Sequence, residues 1–264
     1  AARFWRVIGV AAPGVGPTAA GLRPQIRTWC PRPRPVVGRT GEDRHVTEVL
    51  DVFGLATREW FAGAFAAPTA AQEGAWRAVA DGRNALVVAP TGSGKTLAAF
   101  LWALDRLTAE PKPADPKQRC RVLYVSPLKA LAVDVERNLR APLSGIGQAA
   151  RRLGLPEPDI TIGIRSGDTP ADDRRRFQRT PPDVLITTPE SLFLILTSQA
   201  RDSLRGVETV IVDEVHAVAG TKRGAHLALS LERVDALLAT PAQRIGLSAT
   251  VRPIARTRRS SSGT

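Results

Sequence analysis

The chain has 264 residues, a net charge of +12 at neutral pH and an ordinary apolar fraction of 43%. This length suits one large domain or two small ones. No apolar run approaches the ~20 residues that a membrane-spanning helix needs, so we expect no membrane partner. The two cysteines and three histidines are scattered and exclude a disulfide framework and a zinc site. They fit a reducing compartment, and we predict a cytoplasmic protein.

The positive charge lies at the two ends of the chain. Residues 1–44 hold eight Arg against Glu42 and Asp43, and residues 251–264 hold four Arg and no acidic residue. Of the total of +12, only +2 remains for residues 45–250. A nucleic-acid partner must therefore be argued from motifs and not from net charge.

Both ends of the chain lack the periodicity of a helix or a strand. Residues 1–44 are rich in Arg, Pro and Gly, and residues 251–264 in Arg and Ser. We predict that both ends are disordered and that residues 45–250 form one domain. A transit peptide, a secretory signal and a phosphate-gripping tail are alternatives for the N-terminal extension. We favour a non-conserved extension, or upstream sequence that is not normally part of the protein.

A helix is predicted ahead of the first strand. Pro68 and Thr69 are good helix-start residues, and the pattern continues to about residue 80. Gln72 lies in the first turn of this helix. Its amide carries both a donor and an acceptor, so it can pair in two directions with the edge of an adenine base. Gln72 is therefore a candidate nucleotide contact.

A strand, a glycine-rich turn and a helix follow one another over residues 85–107. The apolar run Ala85–Ala89 predicts a buried parallel strand. The turn and the Lys-Thr pair behind it are typical of a phosphate-binding P-loop, with Ala89 in place of the usual first glycine. The residues predicted to bind the nucleotide are Pro90, Thr91, Gly92, Ser93, Gly94, Lys95 and Thr96.

Each residue type in this loop has a physical reason. Gly92 and Gly94 permit backbone angles at which successive N–H groups turn toward one anion. The helix that begins near Lys95 directs the positive end of its dipole at the phosphates. Lys95 adds a point charge at the β- and γ-phosphates, and the Thr96 hydroxyl is a ligand for Mg²⁺.

The next strand is predicted at Arg121–Ser126, and Pro127 begins a helix that reaches about Arg140. Lys129 lies at the start of this helix. A lysine and a helix N-terminus behind a parallel strand suit a phosphate. Residues 141–159 contain Gly and Pro and predict an irregular connection.

Two more strands, predicted at Ile160–Ile164 and Val184–Thr187, end in polar turns. The first turn, Arg165–Pro170, leads into a short charged helix, Ala171–Arg179. We interpret the arginines of this helix as a solvated face, with a binding patch as the alternative. Pro189 is predicted to begin the helix after the second turn.

The most strand-like run, Val207–Val212, ends in Asp213 and Glu214. Two adjacent carboxylates at the tip of a buried strand are costly unless a positive group meets them. A hydrated Mg²⁺ is the natural partner, so Asp213 holds the metal and Glu214 orients the attacking water. An acidic loop that caps the following helix is the structural alternative. Residues 221–239 then predict a helix, and residues 244–247 a strand.

The alternation of strands and helices predicts an α/β domain, a mainly parallel sheet with helices on both faces in three layers. The short motifs become specific when they are taken in order. They are Gln72 and residues 89–96, 127–131, 188–190, 213–216 and 248–250. They match the Q motif and motifs I, Ia, Ib, II and III of superfamily 2 helicases, and the chain resembles the first motor domain of that superfamily.

The sequences of residues 64–72, 126–131, 165–169 and 188–192 are similar to those of the Lhr (large helicase-related) family in particular. The resemblance covers roughly residues 48–252. It implies a RecA-like P-loop NTPase domain that uses ATP and Mg²⁺ to move along single-stranded DNA. It also implies unwinding of DNA or RNA–DNA duplexes and a link to DNA repair.

The resemblance assigns roles to individual residues. The catalytic residues it implies are Lys95, Asp213, Glu214 and His216. The residues it implies on the nucleic acid are Lys129, Arg165, Gly167, Thr188 and Pro189. His216 would couple the ATP site to the loop that holds Ser248 and Thr250, and Thr96 and Asp213 would be the Mg²⁺ ligands.

A helicase of this class also needs a second RecA-like domain, whose arginine fingers complete the ATP site. No such motif follows Thr250, so we expect the chain to be part of a larger protein and to hydrolyse Mg-ATP slowly when alone. A DEAD-box RNA helicase and a remnant that only binds nucleotide or nucleic acid are the alternatives. His216 in place of Asp, and the Arg165–Thr169 turn, argue against the first of these.

Overall fold

The computed structural model describes residues 49–90 and 92–249. The predictions for the two ends of the chain, for Thr91 and for Thr250 lie outside the described residues. Within them, the strands are β1 (Ala85–Val88), β2 (Val122–Val125), β3 (Ile162–Arg165), β4 (Val184–Thr187), β5 (Thr209–Val212) and β6 (Gln243–Ser248).

The helices alternate with these strands. They are α1 (Leu55–Ala64), α2 (Ala70–Ala80), α3 (Lys95–Ala109), α4 (Lys129–Arg152), α5 (Ala171–Arg179), α6 (Pro189–Leu196), α7 (Val215–Val218) and α8 (Lys222–Asp235). Two short 3₁₀ helices cover Pro116–Gln118 and Gln199–Leu204. None of the described helices is long and apolar enough to cross a membrane.

The described strands form one parallel sheet in the order β1-β6-β5-β2-β4-β3. Val88 pairs in register with Ser248, and Val212 with both Gly246 and Val125. The carboxyl ends of the strands therefore meet at one edge of the sheet, where parallel α/β folds bind their ligands. The predicted parallel sheet is confirmed.

Helices cover both faces of the sheet, because successive side chains of each buried strand point to opposite sides. Ile211 of β5 packs with α2, α3 and α4, and we call this side the α3 face. Val210 and Val212 pack with α5, α6 and α8, which we call the α8 face. A further apolar cluster, formed by α1 and the C-terminal part of α4, lies outside the α3 face. The predicted three-layer architecture is confirmed.

The prediction of an irregular connection over residues 141–159 is wrong for residues 141–152. Helix α4 continues to Arg152 with Pro142 inside it. A proline in a helix interior removes a hydrogen bond, but Pro142 is buried and α4 packs along α1. A Cβ at Gly145 would lie 2.1 Å from Nε1 of Trp60, so this glycine makes room for the indole. Packing against α1 stabilises a helix that local propensity alone would end.

Candidate nucleotide and nucleic-acid site

The glycine-rich turn after β1 has the backbone that the P-loop motif predicts. Gly92 and Gly94 have φ angles of 80° and 77°, in the left-handed region that favours glycine. Ala89 does not have a positive φ, and its N–H donates to the Ser248 carbonyl at 3.2 Å. The replacement of the usual first glycine by alanine is therefore compatible with this loop.

Lys95 is the first residue of α3, and its side chain folds back over the loop. Its Nζ atom donates to the carbonyl oxygens of Ala89 at 2.5 Å and Pro90 at 2.8 Å. The Oγ atom of Ser93 is buried and has no hydrogen-bond partner, and Thr96 lies next in the first turn of α3. A lysine ammonium, an unpartnered hydroxyl and a helix N-terminus within one loop fit a bound triphosphate with its Mg²⁺.

Gln72 contacts the P-loop directly. Its Nε2 donates to the Gly94 carbonyl at 3.4 Å, and its Oε1 accepts from the Thr69 N–H at 2.9 Å. A Cβ at Gly94 would lie 2.6 Å from Nε2 of Gln72. Gln72 thus ties the start of α2 to the P-loop, and its amide keeps one N–H and one lone pair for another partner.

The acidic pair follows β5 at the same edge of the sheet as the P-loop. The N–H of Asp213 continues the ladder by donating to the Val125 carbonyl at 2.9 Å. Alternation along β5 directs Asp213 to the side of Ile211, the α3 face. Strand β6 alone separates β1 from β5 in the sheet. The structure therefore brings Lys95 and Asp213 to the same edge and the same face.

Tyr124 is a residue of this site that sequence reasoning missed. Its hydroxyl donates to Oδ2 of Asp213, and its ring stacks on Phe100 with centroids 5.0 Å apart. Burial, and secondly the Asp213 charge, raise the pKa of the Tyr124 phenol far above its usual range, so it remains a donor. A hydroxyl in an otherwise apolar buried strand signals a hidden hydrogen-bond partner. That signal was available in the sequence.

Glu214 adopts an unusual backbone conformation. Its φ of 46° makes it the one non-glycine residue with positive φ in the described part of the chain. Such a conformation costs of order 1–3 kcal/mol and occurs preferentially at functional sites. Its N–H donates to Oδ1 of Asp213 at 2.8 Å, and its Oε2 lies 3.2 Å from Nδ1 of His216. The turn directs two neighbouring carboxylates to different partners.

His216 connects the acidic pair to the end of β6. Its Nδ1 lies 3.3 Å from Oγ of Ser248 and accepts the N–H of Ala249 at 3.3 Å. The structure thus brings together His216 and Ser248, the two described members of the predicted coupling set.

Most of the predicted nucleic-acid residues lie at the other half of the same edge, after β2, β4 and β3. Lys129, at the start of the helix after β2, forms an ion pair at 2.5 Å with Asp168, in the turn after β3. Gly167 lies in the same turn as Asp168. Arg174 holds this turn, because its guanidinium donates to the carbonyls of Gly167 and Thr169, both at 2.8 Å. Arg174 thus has a structural role on α5, whose arginines we interpreted as a solvated face.

Arg165, the last residue of β3, is half-buried. Its guanidinium lies over the Phe177 ring, 5.0 Å from the centroid. Burial, with a smaller effect of Arg174, lowers the pKa of Arg165. One of its terminal nitrogens is buried without a partner. Its charge is therefore less available to a ligand than that of Lys129.

Thr188 caps α6, which begins at Pro189 as predicted. The Thr188 hydroxyl is buried, accepts from the Ser191 N–H at 3.3 Å and donates to the Ser191 hydroxyl at 3.1 Å. The next residue, Glu190, forms a two-point ion pair with Arg223 of α8, at 2.5 and 2.9 Å. Backbone groups, and not the Thr188 side chain, are therefore what this turn offers to a ligand.

The parallel sheet, the P-loop after β1 and the acidic pair after β5 define a RecA-like P-loop NTPase domain. The family model described as DEAD/DEAH box helicase matches residues 69–257. The chain therefore belongs to the DEAD/DEAH box helicases, and its membership of superfamily 2 is confirmed.

Several Lhr helicases are similar to this chain, which confirms the resemblance to that branch. The Lhr helicase/probable uracil glycosylase of Mycolicibacterium smegmatis is 72% identical over 204 residues, which cover 77% of this chain and 13% of that protein. The Lhr helicase/uracil glycosylase of Escherichia coli is 64% identical over 206 residues, 76% of this chain and 13% of that protein.

The fold agrees with a solved structure, that of Mycobacterium smegmatis helicase Lhr bound to ssDNA and AMP-PNP. The TM-score is 0.73 at 70% sequence identity, and the match covers 78% of this chain and 26% of that one. Of the two curated relatives described above, the chain spans only 13% of the length of each.

Proposed function

We propose that the chain is the first motor domain of an Lhr-type helicase that uses ATP to move along single-stranded DNA. One observation carries the proposal. The P-loop and the acidic pair lie at one half of the carboxyl edge of the sheet, while Lys129 and the Arg165–Thr169 turn lie at the other half. An ATP site and a strand-binding surface on one rigid edge are what a nucleic-acid motor requires.

The ATP half has a distinct role for each residue. Gly92, Gly94 and the start of α3 would bind the phosphates through backbone N–H groups. Lys95 would leave the loop carbonyls and bind the β- and γ-phosphates. Gln72 would use the free N–H and lone pair of its amide on the adenine edge. The predicted role of Thr91 in the same loop remains a prediction.

Glu214 would orient the attacking water and accept its proton, as the water oxygen forms a bond to the γ-phosphorus and the bond to ADP breaks. Thr96 and Asp213 would hold Mg²⁺, which neutralises charge on the β- and γ-phosphates when it is bound. His216, in contact with both Glu214 and Ser248, would relay the state of the ATP site to the end of β6.

The DNA half would bind the phosphate backbone of one strand. Lys129 is exposed at the N-terminus of α4, so that its charge and the helix dipole act on one phosphate. Gly167 would allow close approach of the strand, and Pro189 and the backbone at Thr188 would contact the next phosphate. Arg165 would contribute mainly through the packing of its guanidinium on Phe177 of α5.

The relatives support proposals about the wider setting of the protein. We propose a second RecA-like domain as the partner that completes the ATP site. An RNA–DNA hybrid is proposed as a further substrate. A cytoplasmic location is also proposed, because it suits an enzyme that acts on DNA and hydrolyses ATP. DNA repair is proposed because the names of both bacterial relatives join a helicase to a uracil glycosylase.

The proposal is tested by binding measurements on the purified chain. A fluorescent ATP analogue and labelled single strands of DNA and RNA, equal in length and sequence, are titrated with the protein in Mg²⁺. We expect the analogue to bind and the DNA strand to bind more tightly than the RNA strand. Tighter RNA binding would favour an RNA helicase, and a folded chain that binds no nucleotide would contradict the proposal.

A further inference from the structure

Tyr124 has a feature that packing does not explain. It is the sole tyrosine of the chain and is fully buried in β2, between Leu123 and Val125. Its ring stacks on Phe100 at an interplanar angle of 30°, a contact that phenylalanine would make equally well. The hydroxyl is the one part of this side chain that needs another reason.

The hydroxyl forms a hydrogen bond with the Asp213 carboxylate. It donates to Oδ2, while Oδ1 accepts the Glu214 N–H at 2.8 Å. Each carboxylate oxygen thus has one neutral donor, and together these two bonds fix the rotation of the group. Neutral partners also leave the negative charge uncompensated, and each oxygen keeps lone pairs for a cation.

The rigidity of the donor makes this contact effective. The Tyr124 ring stacks on Phe100 and belongs to a central strand. Its hydroxyl therefore cannot move with the Asp213 carboxylate if that group rotates away. Strands β2 and β5 are paired along their whole length, from Val122 opposite Thr209 to Val125 opposite Val212. The separation of the phenol from the Asp213 backbone is therefore fixed by the sheet itself.

We propose that Tyr124 is a positioning residue that orients the Asp213 carboxylate for the Mg²⁺ of a bound nucleotide. The inference rests on the proposed function, because it assigns the hydroxyl to the same ATP site. Groups that hydrogen-bond to a metal ligand hold it in the geometry that the metal needs. Tyr124 acts through Asp213 and touches neither the metal nor the nucleotide.

The test is Tyr124→Phe in the intact chain, which removes the hydroxyl and keeps the ring. Binding of a fluorescent ATP analogue is measured over a range of Mg²⁺ concentrations and in EDTA. We expect the half-saturating Mg²⁺ concentration to rise about 10–100-fold. Affinity in EDTA should stay unchanged. A Mg²⁺ requirement equal to that of the unchanged chain would overturn the inference.

A double variant separates positioning from a general loss of structure. If Tyr124 acts through Asp213, then Tyr124→Phe should not further change the analogue affinity in Mg²⁺ in an Asp213→Asn background, where the Mg²⁺ gain is already lost. Equal effects in both backgrounds would overturn the inference. Ser230→Ala is the matched control, since it removes another buried hydroxyl, one that bonds the His226 carbonyl in α8. It should leave the Mg²⁺ requirement unchanged.

The two proposals fail in different ways. If the wild-type chain is folded but shows no Mg²⁺-dependent nucleotide binding, the proposed function itself is contradicted. An unchanged chain that binds Mg-nucleotide normally, and a Tyr124→Phe variant that does the same, contradicts only the role of Tyr124. If a Tyr124→Phe variant loses affinity for the ATP analogue equally in EDTA and in Mg²⁺ and melts at a lower temperature, the hydroxyl has only a structural role.

Discussion

Nδ1 of His216 lies 3.3 Å from Oγ of Ser248, so the segment after β5 contacts the last residue of β6. The same nitrogen lies 3.2 Å from Oε2 of Glu214. A single imidazole therefore touches both the proposed catalytic carboxylate and the loop that follows β6. Movement at either place changes the hydrogen bonds available at the other.

Loss of this imidazole should uncouple the two halves of the site. In the unchanged chain, the affinity for a labelled DNA strand should differ with and without Mg-AMP-PNP, since coupling between two sites is reciprocal. In His216→Ala each ligand should still bind, but the ratio of the two DNA affinities should approach one. His226→Ala, in α8 beside Phe193, is the matched control. A ratio in His216→Ala equal to that of the unchanged chain would contradict the coupling role.

Glu214→Gln should separate nucleotide binding from turnover. The amide keeps the shape of the side chain but cannot take a proton from water, and a general base typically contributes about 10²–10⁴-fold to a rate. We expect unchanged binding of the ATP analogue and a loss of hydrolysis in a single-turnover assay with excess protein. Glu232→Gln, exposed on α8, controls for the loss of a charge. Hydrolysis that persists in Glu214→Gln would remove Glu214 from its role.

The Lys129–Asp168 pair predicts two changes of opposite sign in DNA affinity. Lys129→Ala should weaken binding of a DNA strand and lower the slope of log affinity against log salt by about 1. Asp168→Asn should strengthen binding, because the lysine loses its competing carboxylate. Lys117→Ala, an exposed lysine ahead of β2, should change little. Weaker binding in Asp168→Asn would show that the pair helps to bind DNA.

The ion pair of Glu190 and Arg223 predicts a small pH dependence of stability. The Arg223 hydrogen bonds lower the pKa of the Glu190 carboxyl below its usual 4.5. A carboxyl with a lowered pKa in the folded state stabilises the protein above pH 4.5, and this contribution is lost as the pH falls through the folded value. Both side chains are partly exposed, so Glu190→Gln should cost about 0.5 kcal/mol at pH 7. Melting temperatures should converge below pH 4.5, and a constant difference would contradict this.

Local patterns in the sequence predicted the elements that local chemistry controls. The P-loop glycines, the capping of α2 at Thr69 and the start of α6 at Pro189 each depend on a few consecutive residues. Helix α5 has the predicted bounds, Ala171–Arg179, for the same reason. The family resemblance then supplied an order of motifs that the sheet explains, since every motif except Gln72 lies at the carboxyl end of a strand.

Contacts between distant residues were not predictable in this way. Tyr124 and Asp213 are 89 positions apart and meet only because β2 and β5 are neighbours in the sheet. Helix α4 continues through Pro142 and packs along α1, where Gly145 makes room for Trp60. In α4 the tertiary contacts outweigh the local preference, and in both cases a single sequence does not state which strands or helices are adjacent.

The central claim is that the P-loop and the acidic pair bind one Mg-nucleotide. It is tested most directly by the affinity of a fluorescent ATP analogue in Mg²⁺ and in EDTA, for the unchanged chain, Lys95→Ala and Asp213→Asn. We predict that Lys95→Ala loses binding in both conditions, while Asp213→Asn keeps its EDTA affinity and loses the gain that Mg²⁺ gives. Lys117→Ala should behave as the unchanged chain. An Asp213→Asn variant with the full Mg²⁺ gain, or a Lys95→Ala variant with unchanged affinity, would contradict the account.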